Sequence, residues 1–410
     1  MTSRFRKTIL PNGLRIVSES MDQTRTAALG VWVLCGSRHE PRRLAGISHL
    51  LEHLVFKGTE TRSAYDIAVE LESVGGHINA VTDREYTCYY AHCLGEHLPL
   101  AVDVLTDLVR NAVIRPDDLE MEKGVVLEEI LNLDDSPEDQ VLDDLTEAMI
   151  PDHALGRPVL GSEKSVTDIS RDDVLAYRQT WYNSSHIIIS AAGAVDHDAL
   201  VDQLNAIFTE SVNPETNNQS EVLLGEPVSL VKHRQISQAH VSMASFSPAY
   251  GDLRRYPLVI ANTYLGGGMA SLLFQSLREE RGLVYTVYSW LDFWSDAGQM
   301  GIYFGTSPDR KVEAETLVRE AIESLLLRPM ETLDLKRIRD QIVYGFQISS
   351  EDPQVRMQRL AKMEIQSGEF VEDEIIIERY QRVSPEEIHR VVNQYCPLDR
   401  WSKAIIEPSS

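Results

Sequence analysis

Ser170-Arg-Asp-Asp173-Val-Leu-Ala-Tyr177, followed by the apolar run Ile187-Ile-Ile-Ser-Ala-Ala192, is written again near the other end of the chain. There it reads Ser384-Pro-Glu-Glu387-Ile-His-Arg-Val391, then Ala404-Ile-Ile406. In each copy a serine stands three residues before an acid and opens an apolar periodicity of helical spacing, the signature of a capping box. Pro385 occupies a first-turn position, where its missing N–H costs nothing. The short apolar run after each helix predicts a strand. A second pair of segments agrees. Thr87-Cys-Tyr-Tyr-Ala-His-Cys93 precedes a helix through Leu98 to Leu108, and Gly301-Ile-Tyr-Phe-Gly-Thr-Ser307 precedes one from Val312 to Leu325. Both pairs have nearly the same separation along the chain. The pattern predicts an α+β protein of two related halves, each a mainly antiparallel sheet with helices packed on one face. The polar, turn-rich stretch Asn213-Pro-Glu-Thr-Asn-Asn-Gln-Ser220 falls between them. The expected domains are therefore 1–212 and 229–410, with a linker at 213–228.

Composition narrows the function. The 410 residues carry 39 Lys+Arg against 63 Asp+Glu, a net charge of −24, and 43% are hydrophobic. That is a folded chain with ample core, and one that a polyanion would repel, since no dense Lys/Arg cluster interrupts the negative balance. Nucleic acid is excluded as a partner. No stretch approaches the ~18–20 apolar residues of a membrane helix, and no apolar run follows Arg4, Arg6 and Lys7, so neither a membrane segment nor a secretory signal is expected. Cys35, Cys88, Cys93 and Cys396 are too scattered for a disulfide framework and read as buried thiols of a cytoplasmic protein.

The strongest chemical signal is His49-Leu-Leu-Glu52-His53. Independent placement of His and Glu gives on the order of 0.03 such patterns in a chain of this make-up. Its surroundings, Gly46 to Phe56, predict a helix, on which residues four apart share a face and both imidazoles can converge on one ion. Two imidazoles and a free carboxylate suit zinc hydrolysis, the carboxylate taking a proton from water. From the pentapeptide alone, a surface helix whose two histidines happen to share a face stays open. A catalytic zinc needs a third protein ligand. The helix expected from Pro116 onward offers Glu122 and Glu129, two turns apart and on one face, with Glu128 pointing about a third of a turn away. Periodicity nominates that pair without bringing it to the histidines.

Over most of its length the chain resembles the pitrilysin/insulinase family of zinc metallopeptidases, the inverzincins. It is similar in particular to the bacterial processing-peptidase homologues that look like the β subunit of mitochondrial processing peptidase. The likeness begins at Leu10-Pro-Asn-Gly-Leu-Arg-Ile16. It continues through Gly30-Val-Trp-Val33, Gly36-Ser-Arg38 and Gly46-Ile-Ser-His-Leu-Leu-Glu-His-Leu-Val-Phe-Lys-Gly58-Thr59. The resemblance implies that His49, His53 and Glu129 bind one Zn2+ per chain, that Glu52 is the general base, and that Glu122 supports the site from behind. Gly75-Gly76-His-Ile-Asn79-Ala80 matches the family's edge strand, which implies that Gly76, Asn79 and Ala80 hold an extended peptide by backbone pairing.

In the second half, Arg278-Glu-Glu-Arg-Gly-Leu-Val-Tyr285 matches the family's Arg/Tyr pair, which binds substrate backbone near the scissile bond and could donate to an oxyanion. Gly266-Gly-Gly268 lacks the Lys-Ser/Thr of a phosphate loop and reads as a tight turn. No histidine occurs between His240 and His389, so a second zinc motif is absent. By resemblance, the expected protein is a zinc endopeptidase acting on short or unfolded peptides, a homodimer of clamshell-like subunits. The alternative is a catalytically silent binding protein of the same fold. His153-Ala-Leu-Gly-Arg-Pro158 departs from the family's His-Pro-Leu-Gly-Arg-Pro, a change expected to alter a turn rather than chemistry.

Overall fold

The computed structural model describes residues 4–210, 222 and 225–409. The greater part of the expected linker therefore lies outside the described residues. Eleven strands are described: β1 (Arg4–Ile9), β2 (Arg15–Ser20), β3 (Thr26–Val33), β4 (His77–Thr82), β5 (Thr87–Leu94), β6 (Ile187–Gly193), β7 (Ser229–Arg234), β8 (Ala239–Ser247), β9 (Val284–Phe293), β10 (Gly298–Thr306) and β11 (Ser402–Pro408). They form two sheets, ordered β1-β2-β6-β3-β5-β4 and β7-β11-β8-β10-β9. Within each, a single parallel pair (β2 with β6, β7 with β11) interrupts otherwise antiparallel pairing.

From β2 and from β7 onward the two orders correspond strand for strand, and the repeated segments fall on equivalent strands, β6 with β11 and β5 with β10. The repeated capping serines open the helices Arg171–Trp181 and Pro385–Tyr395, each accepting from the N–H three residues on, and Asp173 completes a capping box at the first. The α+β class and the two halves are as expected.

The chain forms two compact units. Unit 1 comprises Met1–Leu131, Arg157–Ser220 and Gln347–Phe370; unit 2 comprises Asn132–Gly156, Glu221–Phe346 and Val371–Ser410. A division at 213–228 alone would leave the helix Pro137–Met149 with the first sheet and the helix Pro353–Gln366 with the second. Each instead belongs to the other unit.

The apolar pattern explains the exchange. On one face of the first sheet, Ile16, Leu29, Val31 and Tyr89 bury against Leu50 and Leu54 of the helix Ile47–Val55 and against Val102 and Leu105 of the helix Leu98–Asn111. The other face, with Val17, Ala28, Trp32, Cys88 and Ile188, is also apolar and is covered by Met357, Leu360 and Ala361. β6 is buried at every position, which suits a strand read as a continuous apolar run rather than an alternating one. So the expected helix-covered face is present, and the helix Pro353–Gln366 covers the second.

A Cβ at Gly30 would stand 2.6 Å from the Met357 sulfur, so the helix lies directly on β3. Glu364, on the same helix, pairs with Lys7 at 2.7 Å and Arg15 at 3.5 Å. Leu360→Ala should cost about 2–5 kcal/mol by leaving a cavity there. Denaturant unfolding would show it as a lower midpoint at unchanged slope.

In unit 2 the helix Pro137–Met149 buries Val141, Leu145 and Met149 against Ala244, Tyr303, Ala404 and Ile406. Asp144 pairs with Lys232 at 2.7 Å, and the Tyr288 hydroxyl donates to Glu138 at 3.0 Å. All four cysteines are buried free thiols. Among the described residues no helix is long and apolar enough to cross a membrane.

Candidate metal centre

The motif helix, Ile47–Val55, starts at Gly46, whose φ of +91° favours glycine and whose Cβ would stand 2.5 Å from the Leu160 carbonyl oxygen. Ile47, Leu50, Leu51 and Leu54 anchor one side of the helix in the core of unit 1. That anchoring turns His49, Glu52 and His53 outward. The two imidazoles lie 4.7 Å apart between ring centroids.

The acidic helix, Pro116–Asp134, buries Leu119, Glu122 and Val126. The same stripe continues one turn further to Glu129, whose Oε2 lies 3.6 Å from His49 Nε2 and 3.7 Å from His53 Nε2. Glu128 is exposed instead, as the helical arithmetic requires. One ligand atom from each of His49, His53 and Glu129 falls within 4.8 Å of the others. A tetrahedral ion with bonds of about 2 Å has ligand–ligand edges of about 3.3 Å, so this donor set fits zinc with small closure.

Electrostatics support the fit. Burial, with His53 beside it, lowers His49 to about 4, which keeps the imidazole neutral, the form able to bind a metal. Its Nδ1 is buried without a hydrogen-bond partner, leaving Nε2 as the ring's polar face toward Glu129. His53 Nδ1 lies 3.0 Å from Glu122 Oε2, and Lys57 pairs with the other Glu122 oxygen at 2.6 Å. Glu122 thus fixes the ring orientation that aims His53 Nε2 at the cluster. Burial raises the Glu52 carboxyl, opposed by the hydrogen bond from the Thr82 hydroxyl and by His53, while Glu129 adds to the rise. A carboxylate made more basic in this way is a better proton acceptor.

β4 is the outermost strand of its sheet and, among the described residues, pairs only with β5. Gly76 is packed tightly at its entrance, with Asn79 exposed and Ala80 half-buried along it. Its outer backbone edge can take another strand. Thr82, which the sequence reading passed over, sits two residues after Ala80 and so on the same face of the strand. That alternation was the available signal for it.

Arg278 and Tyr285 belong to unit 2. Arg278 lies on the π-helical turn Phe274–Glu279, its guanidinium 5.1 Å over the ring of Tyr285, which is 76% exposed at the start of β9. The structure brings these two together, the histidines with Glu122 and Glu129, and Glu52 with Thr82. Gly266 to Gly268 end the helix Arg255–Gly266, as a turn.

Residues 15–163 match the family model described as insulinase (peptidase family M16), and residues 168–342 match the one described as the peptidase M16 inactive domain. The chain belongs to the M16 peptidase family. An uncharacterized zinc protease of Mycobacterium tuberculosis (strain ATCC 25618 / H37Rv) is 38% identical, over 98% of this chain and 93% of the relative. The uncharacterized zinc protease YmxG of Bacillus subtilis (strain 168) is 34% identical over 97% of each. Solved structures share the fold. A protease from Helicobacter pylori superposes with a TM-score of 0.92 at 19% identity, over 99% of this chain and all of the other. A Pseudomonas fluorescens structure titled as a peptidase M16 inactive domain gives 0.92 at 16% identity, over 99% and 98%.

Proposed function

We propose that this M16 member is a zinc-dependent endopeptidase for short or unfolded peptides. The observation that carries the reading is the convergence of His49, His53 and Glu129, with the half-buried Glu52 on the same helix as the two histidines. His49, His53 and Glu129 are the metal ligands, with Glu122 orienting His53. A zinc bound there would supply Lewis acidity and a water acidic enough to deprotonate near neutrality. Glu52 takes that proton and returns it to the leaving amine, while the Thr82 hydroxyl holds Glu52 in place. The peptide adds as a strand along β4 beside Gly76, Asn79 and Ala80. Its backbone groups are thereby satisfied with little demand on side chains. Arg278 and Tyr285 donate to a peptide carbonyl. A cytoplasmic homodimer completes the proposal.

The silent-scaffold alternative has one observation on its side, the inactive-domain match over residues 168–342. Against it stands the convergence of His49, His53 and Glu129. Metal analysis together with cleavage of a mixed-sequence peptide library decides between them. About one zinc per chain with cleavage is expected; metal-free protein that cleaves nothing would favour the scaffold. Glu122→Ala should weaken zinc binding about 10–100-fold, as loss of such backing carboxylates does, read by competition with a chromophoric chelator.

A further inference from the structure

Between β3 and the motif helix runs Gly36-Ser37-Arg38-His39-Glu40, for which the chemistry above has no use. Its two ends hold different parts of the site. At one end the N–H groups of Ser37 and Arg38 donate to the carbonyls of Asp83 at 3.3 Å and Arg84 at 2.8 Å. The Arg38 guanidinium donates to Glu85 Oε1 at 2.7 Å. Asp83 to Glu85 form the turn leading from β4 into β5. A Cβ at Gly36 would stand 2.0 Å from the Asp83 carbonyl oxygen, so the segment lies flush on that turn. At the other end the Glu40 carboxylate accepts from the N–H groups of Gly46 at 2.7 Å and Ser48 at 2.8 Å, which open the motif helix. Arg157, from the His153–Pro158 loop, donates to the Glu40 carbonyl at 2.5 Å.

Arg38, Glu40 and Glu85 are 6%, 4% and 8% exposed. Burial pushes the Glu40 carboxyl up to about 7, against the N–H bonds from Ser48 and Gly46. Charges held at that cost are poor stabilisers; apolar residues of the same volume commonly do better, and what charges can add is a unique geometry. The two ends meet at Glu52. It rides on the helix that Glu40 caps, and it accepts from Thr82, the residue that enters the turn Arg38 holds.

We propose that Gly36–Glu40 is a bracket in which Arg38 and Glu40 are positioning residues, setting the motif helix and the edge strand in mutual register. The bracket's catalytic meaning rests on the peptidase reading. Its mechanical meaning can be read without catalysis, by hydrogen exchange of the intact chain. Glu40→Gln replaces one acceptor by a donor. It should speed exchange about tenfold in the motif helix, weaken zinc binding about tenfold and lower kcat at nearly constant KM. Arg38→Met with Glu85→Gln removes both buried charges, leaving neither orphaned. That pair should speed exchange about tenfold in β4 and raise KM for library peptides about tenfold, with zinc binding unchanged. Arg38→Lys, which keeps the charge, should restore most of the KM. Folded variants with exchange in the motif helix and β4 within twofold of wild type would overturn the bracket, as would a uniform increase over all of unit 1. A wild-type chain that neither holds zinc nor cleaves would sink the peptidase reading, while the exchange pattern still decides the bracket.

Discussion

Glu52→Gln should lower peptide hydrolysis by about 10²–10⁴-fold, the usual worth of a positioned general base, while zinc stays at about one per chain. Glutamine is close to isosteric and can still accept from the Thr82 hydroxyl, so the helix and strand have no reason to move. What it lacks is basicity. Burial raises the Glu52 carboxyl above its ordinary value, and that raised proton affinity is the property an amide cannot supply. Glu52 also stands outside the convergent donor set, so its replacement removes no ligand. The assay pairs metal analysis with single-turnover cleavage of a quenched fluorescent peptide. A variant within about tenfold of wild type would remove Glu52 from the role of base.

His53→Ala should abolish tight zinc binding, and cleavage with it. The substitution deletes one of three donors and also leaves Glu122 and Lys57 as a pair with nothing to orient. A two-donor remnant of His49 and Glu129 is not a closed site for zinc, which takes three protein ligands in catalytic centres. A second consequence follows from linkage. Zinc at about a hundred times its dissociation constant stabilises the native state by about 2.7 kcal/mol, so adding zinc should raise the melting temperature of wild type and Glu52→Gln but not of His53→Ala. Equal shifts in all three would place the metal elsewhere.

Much of this protein is local. His49, Glu52 and His53 share a face because helical geometry allows nothing else at that spacing, and the seven-residue step from Glu122 to Glu129 is likewise two turns of one helix. The doubled order of helix and strand was legible for the same reason, since capping serines and apolar runs are decided within a few residues of chain.

Three features were not local. Glu129 reaches the imidazoles only because two helices far apart in sequence bury their apolar residues in one core. The helices Pro137–Met149 and Pro353–Gln366 exchange units, although each has an apolar stripe like any other helix. A stripe states that a face must be buried and is silent on which sheet buries it; shape and charge across the contact, such as Gly30 beneath Met357 and Glu364 between Lys7 and Arg15, make that choice. Thr82 beside Glu52, and Arg38 and Glu40 behind them, are the same case. Sequence by itself determined which side chains share a face of the motif helix and of the acidic helix, because that follows from backbone periodicity. Only the tertiary structure decided which groups meet, because contact between distant segments depends on packing that no short stretch of chain encodes.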